Sequence, residues 1–202
     1  AGKPPFFEGW YYKLADRTGQ HRFAVIPGVF LHREDGKSHA FVQIFDGATG
    51  DATYHEYPVE EFRAVPGELD IRIGLNHFTA HGISLQLAAA DRTARGELCF
   101  EGVTPWPVTL WSPGIMGWYA WVPFMECYHG VVSLDHSLAG SLAVDGVPID
   151  FTGGRGYTEK DWGRSFPAAW VWFQTNHFDP PGASLTASLA LIPWVRRTFP
   201  GF

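Results

Sequence analysis

Glycine and proline interrupt this chain so regularly that strands are the elements that fit between them. The 23 Gly and 15 Pro recur roughly every eight to twelve residues, and the intervals are short runs with period-two alternation, the pattern of an antiparallel β-sandwich or barrel. Helical periodicity is almost absent. The clearest strand is Ser184 to Ile192, with Leu185, Ala187, Leu189 and Leu191 on one face and Ser184, Thr186 and Ser188 on the other. The leucine face is expected to pack and the other to meet something polar. Similar runs are Tyr11 to Leu14, Arg22 to Pro27, His39 to Phe45, Glu68 to Leu75, Ile83 to Ala88, Gly96 to Glu101, Val131 to Leu134, Gly140 to Val144 and Ala169 to Phe178. Between them, segments such as Asp46 to Asp51 and Asp145-Gly146 supply the Asp and Gly that a hairpin needs where φ is positive.

A chain of 202 residues can form one large β-domain, or one barrel and part of a second, with a sizeable core. The Pro- and Trp-rich stretch from Pro105 to Pro113 separates two strand-rich halves, residues 1–104 and 105–202. After it, Gly114 to Tyr128 is dense in rings and reads as core rather than as a loop that dips into a membrane.

Several function classes are excluded. With 15 basic against 21 acidic residues and no basic cluster beyond Arg196-Arg197, a nucleic-acid footprint is absent. Two cysteines, Cys99 and Cys127, make no disulfide framework; they read as free buried thiols and suit a reducing, cytoplasmic compartment. No run approaches the roughly eighteen apolar residues of a membrane helix, and the first residues lack the charged start and apolar run of a signal peptide. HExxH, CxxC, Walker and GxSxG motifs are missing, and the glycines at 153, 154 and 156 do not lead into a helix start. His77 and His81 flank what reads as a turn, so no metal site is expected.

What remains is polar groups among rings. Aromatics are 16% of residues and include nine Trp, while charged residues are 18%, more apolar ring surface than an ordinary core requires. In Phe6 to Lys13, Glu8 sits between bulky side chains and must be paired or partly desolvated. In Met125 to His129, a buried Glu126 would have a raised pKa and could act as an acid. In Gly153 to Pro167, charged groups and rings fall between glycines and read as loop chemistry bordering an apolar pocket. A hairpin tip in which Lys160 and Arg164 pair with Glu159 and Asp161 is the equally open structural alternative.

Six segments together then resemble the tocopherol cyclase family: Phe7-Glu8-Gly9-Trp10-Tyr11-Tyr12-Lys13; Ile26-Pro27-Gly28; His39-Ala40-Phe41-Val42-Gln43; Pro113-Gly114-Ile115-Met116-Gly117-Trp118; Gly156-Tyr157-Thr158-Glu159-Lys160-Asp161-Trp162-Gly163; and Gln174-Thr175-Asn176-His177-Phe178. The likeness runs through nearly the whole chain in order. It implies a lipocalin-like, two-barrel β-architecture, with the last strands of the second half missing here.

The resemblance also implies a reaction, closure of a chromanol ring on a prenylated hydroquinone without cofactor or metal. An acid protonates the alkene, and the phenol oxygen captures the tertiary cation. That chemistry asks for an acid of raised pKa, a group that orients the phenol, exclusion of water and aromatic faces beside the cation. Asp161 is the expected proton donor and Glu126 the alternative, because Lys160 next to Asp161 would lower its pKa. Tyr157, Asn176 and His177 are expected to orient the hydroquinone, Glu8 and Gln43 to contact it, and Trp10, Trp118, Trp162 and Trp172 to line the pocket. A carrier that binds an isoprenoid without changing it needs the same pocket and no acid, and a glycan-binding module would also use exposed Trp. A greasy substrate further implies contact with a membrane surface.

Overall fold

The computed structural model describes residues 2–34, 36–88, 92–123, 125–179, 181–194 and 197–201. Its backbone is antiparallel β almost throughout. In chain order the strands are β1 (Phe6–Ala15), β2 (Arg22–Leu31), β3 (His39–Asp46), β4 (Ala52–Pro58), β5 (Phe62–Ala64), β6 (Asp70–Ile73), β7 (Asn76–Thr79), β8 (Gly82–Ala88), β9 (Thr93–Glu101), β10 (Cys127–Val144), β11 (Val147–Asp150), β12 (Arg155–Gly163), β13 (Trp170–Thr175), β14 (Leu185–Trp194) and β15 (Arg197–Gly201). Twelve of them form one sheet in the order β4-β3-β2-β1-β12-β10-β9-β8-β7-β6-β5, with β11 on β10, and β13-β14-β15 form a second.

The large sheet curls around one core, as in a lipocalin-like barrel. On β1 the period-two rule sends Trp10, Tyr12 and Leu14 inward, where they pack with residues such as Val25, Ile44, Phe78, Leu98 and Leu138. Each fully buried side chain of this kind contributes about 1.5–3 kcal/mol. The Tyr12 hydroxyl donates to the Thr79 carbonyl oxygen at 3.1 Å, tying β1 to β7. Asn76 Nδ2 donates to Tyr57 Oη at 3.2 Å, where the end of β4 meets the β6–β7 side of the curl. The β10–β11 hairpin turns as expected, with Asp145 at φ 51° and Gly146 at φ 80°, the positive-φ pair that a tight hairpin requires.

Five expectations are corrected. Gly153 to Pro167 is mainly not a loop, because β12 runs through it between β1 and β10; its alternation is Tyr157, Glu159, Asp161 against Thr158, Lys160, Trp162, which hydrophobicity alone hides. Val131 to Leu134 and Gly140 to Val144 are parts of one strand, β10, whose register shifts between Val131 and Ser133 and between Ser133 and His136 break its period. On β14 the leucine face does not pack as expected: Leu185, Leu189 and Leu191 are exposed, and residues of both faces, Thr186 and Ser188 with Ala187 and Leu191, line a cavity. In Gly114 to Tyr128, Val122 and Met125 are buried but Trp118 and Trp121 are exposed, since they stand on an outward-facing 3-10 turn, Gly117–Trp121. Both cysteines are free, yet Cys99 is exposed and Cys127 half-buried. Strands β10 to β12 join the large sheet, and the chain passes to the small sheet between Gly163 and Trp170.

Candidate active site

Strands β1, β12 and β10 lie side by side, and β13 and β14 cross over their outer face. The gap between the two sheets is a cavity of about 520 Å³. Its walls are mostly rings and aliphatic groups, among them Tyr11, Phe166, Trp170, Trp172 and Ile192, with Ile115 and Met116 reaching in from the β9–β10 loop. Beside the wall residue Glu126, Gly163 packs directly against backbone. A Cβ there would lie 2.0 Å from the Glu126 carbonyl oxygen, and that same oxygen accepts from the Arg164 N–H at 2.8 Å, so this close approach requires glycine.

Four polar side chains meet at the floor. Tyr157, Glu159 and Asp161 share the cavity face of β12 because they are two residues apart. His129 stands opposite Asp161 across the β10–β12 ladder, and its Nδ1 lies 2.8 Å from Asp161 Oδ1. The other imidazole nitrogen, Nε2, is 3.5 Å from Glu159 Oε2. That carboxylate oxygen also accepts from the Tyr157 hydroxyl at 2.6 Å and from Trp172 Nε1 at 3.2 Å. The indole therefore links the small sheet to the acid.

Burial sets the charges here. Loss of water pushes the Glu159 carboxyl up to about 7, and the Asp161 charge adds to that rise, while His129 and the hydrogen bonds from Tyr157 and Trp172 hold it back. At His129 burial acts to lower the pKa, but the Asp161 hydrogen bond and the Glu159 and Asp161 charges outweigh it, so the imidazole sits above its ordinary value. At neutral pH the acid form of Glu159 is therefore well populated, and the His129 shift favours the protonated imidazole between the two carboxyls. Cys127 is raised to about 12, mainly by burial, so it is no thiolate nucleophile. Ligand atoms of His129, Glu159 and Asp161 lie within 4.8 Å of one another, close enough for a cation to compete with the proton for them.

Of the residues singled out in the sequence, Glu126, Asp161, Trp10 and Trp172 line the cavity, and Tyr157 reaches it through Glu159. Lys160 does not oppose Asp161 directly; it faces the other way and pairs with Glu8 at 2.5 Å, its ammonium 5.1 Å from the Trp10 and Trp162 ring centroids. Glu8 is thus engaged away from the cavity, and Trp162 stacks on Tyr128 beside a second cavity. Gln43 is half-buried on β3, and His177 is exposed. Trp118 is exposed and stacks on Tyr119. Asn176 is fully buried but acts as a tie: Nδ2 donates to Asp135 at 2.8 Å and to the Gly156 carbonyl at 2.8 Å, and Oδ1 accepts from Lys13 Nζ at 3.0 Å.

Glu159 and His129 are the residues that the sequence reading left out of the site. Both stood inside the quoted motifs. The usable signal was the spacing Tyr157, Glu159, Asp161, which places two carboxyls and a phenol on one strand face once β12 is recognised as a strand.

Residues 76–196 match the family described as tocopherol cyclase-like. The chloroplastic tocopherol cyclase of Zea mays is 34% identical over 107 residues, covering 52% of this chain and 22% of the maize protein; the chain thus corresponds to about a fifth of that relative. Among solved structures, an AttH-type protein from Nitrosomonas europaea superposes with a TM-score of 0.55 at 17% identity, over 95% of this chain and 62% of that one. Kievitone hydratase from Nectria haematococca gives 0.52 at 12% identity, over 96% and 59%. These two similarities support the lipocalin-like all-β fold. No helix among the described residues is long and apolar enough to cross a membrane.

Proposed function

We propose, from the premise that this chain belongs to the tocopherol cyclase-like family, that it closes a chromanol-type ring on a prenylated hydroquinone by proton transfer alone. The observation that carries this reading is Glu159: a carboxyl whose pKa burial raises to about 7, so that its acid form is populated near neutral pH, on the floor of an apolar cavity of about 520 Å³. Such a group is the acid that alkene protonation needs.

Glu159 Oε2 already has Tyr157 and Trp172 as donors, which leaves Oε1 to carry the acid proton. That proton adds to the alkene, a C–H bond forms, and the tertiary cation develops beside the rings of Tyr11 and Trp172 and the new carboxylate. The phenol oxygen closes on the cation as its O–H bond breaks. Asp161 accepts the phenolic proton; His129 Nε2, 3.5 Å from Glu159 Oε2, gives a proton back to the carboxylate, which turns over about its Cγ–Cδ bond to present it again, and exchange of the Asp161 proton through solvent restores the imidazolium. Nothing is oxidised or reduced, and substrate and product are isomers. Asp161 in this scheme serves as base, in place of the proton donor expected from its motif, and Glu126 lines the wall.

The test is incubation of the protein with a prenylated hydroquinone, following chromanol formation as a change in retention without a change in mass. Turnover is the expected result. Tight binding with no turnover would overturn the reading in favour of a carrier. A membrane-borne substrate is part of this proposal, and so is contact with the surface that holds it.

A further inference from the structure

The β9–β10 loop carries a feature that ring closure does not use. Between Glu101 and Glu126 the chain has no charged residue. Within it, the backbone N–H and C=O of Thr109 and Ser112 bond to each other reciprocally, at 2.9 and 3.2 Å, forming a tight turn with Leu110 and Trp111 at its tip. Turn tips ordinarily carry Gly, Asn, Asp or Ser. Here Trp111 is 92% exposed and Leu110 76%, and Val108, Trp118 and Trp121 are also exposed. The loop is held at both ends, by Thr104, whose N–H donates to the Asp135 carbonyl at 3.1 Å and whose carbonyl accepts from the Leu134 N–H at 2.7 Å, and by the Tyr128 hydroxyl donating to the Val122 carbonyl at 2.6 Å. The apolar tip is a fixed projection.

We infer that this loop docks the protein on the surface of a zwitterionic lipid bilayer, with Leu110 and Trp111 inserted. Tryptophan and leucine without neighbouring charge suit the bilayer interface, whereas a protein partner would ordinarily be met by a polar rim around an apolar centre. The protein's formal net charge of −6 argues against attraction to anionic headgroups. Behind the tip lies the second cavity, about 660 Å³, lined by Trp106, Val108, Leu110 and Trp121, and both it and the acid-bearing cavity are lined by Met116 and His129. A prenyl chain leaving the bilayer at the tip would thus pass along apolar walls to the acid. The docking itself stands whether or not the proposed reaction does, and deepens that reading by naming how its substrate is reached.

The experiment is co-sedimentation of the intact chain with phosphatidylcholine vesicles, without substrate. The parent is expected to partition onto them, with little change between low and high salt and weaker binding when anionic lipid is added. Leu110→Ser with Trp111→Ser is expected to lower the partition coefficient at least tenfold at unchanged Tm, and Leu75→Ser, which alters a side chain equally exposed on the β6–β7 turn, to leave it unchanged. Absence of parent binding, an equal loss with Leu75→Ser, or binding that depends on anionic lipid would each overturn the inference. Turnover plays no part in the readout, so failure here and failure of the cyclase reading are separate results.

Discussion

His129 stands directly across the β10–β12 ladder from Asp161, its Nδ1 2.8 Å from the carboxylate, and its second nitrogen faces Glu159. One imidazole therefore touches both carboxyls of the cavity floor. It favours the ionised form of the acid it would reload, which holds the Glu159 pKa below what burial alone would set.

This coupling fixes a pH dependence. Activity requires protonated Glu159, so kcat/KM is expected to fall tenfold per pH unit above about 7, where the carboxyl ionises. A rate–pH profile measures this directly.

Tyr157→Phe removes a hydrogen bond that lowers the Glu159 pKa. The alkaline limb of the profile is expected to move to higher pH. The same change costs about 1 kcal/mol of stability, the usual worth of such a bond, readable by denaturant unfolding.

Replacing His129 by Gln takes away a charge that favours Glu159 ionisation and breaks the proton return. The rate is expected to drop about 10²–10³-fold, within the range for a general acid–base group, while the Glu159 limb again shifts upward. Steady-state kinetics across pH separates the two effects.

The sequence made the fold class legible, because Gly/Pro punctuation and period-two runs are local signals and most strands follow them. β12 escaped for a physical reason: one face carries Tyr157, Glu159 and Asp161 into a cavity and the other holds Thr158, Lys160 and Trp162, so neither face reads as plainly apolar. The same strand hid the acid. Adjacent in sequence, Lys160 looked like a partner of Asp161, but the pleat sends it to Glu8. The meeting of His129 with Glu159 depends on pairing between strands some thirty residues apart, which spacing within one motif cannot encode.

Asn176 illustrates the opposite error. Its motif suggested contact with substrate, yet it bonds Lys13, Asp135 and the Gly156 carbonyl. Asn176→Ala is expected to cost about 2–3 kcal/mol, since it leaves buried partners unsatisfied, and to leave the pH profile in place. Thermal unfolding beside a rate–pH series tests both halves.

Glu159 also marks stability. Its folded pKa of about 7 lies above the ordinary 4.5, so between those values the folded protein keeps a proton that the unfolded chain has released, and stability falls as pH rises through that window. Glu159→Gln is expected to remove this slope and to be more stable than the parent at pH 8 by up to about 3 kcal/mol, taking about 1.4 kcal/mol per pKa unit. Urea unfolding at pH 5 and pH 8 measures the difference.

The most direct measurement is chromanol formation by Glu159→Gln under single-turnover conditions, with substrate affinity measured on the same sample. The amide keeps the shape and the acceptor oxygen but cannot supply the proton, so binding within a few-fold of the parent and a rate lower by about 10³ or more are expected. Turnover retained by Glu159→Gln would contradict the assignment of Glu159 as the acid.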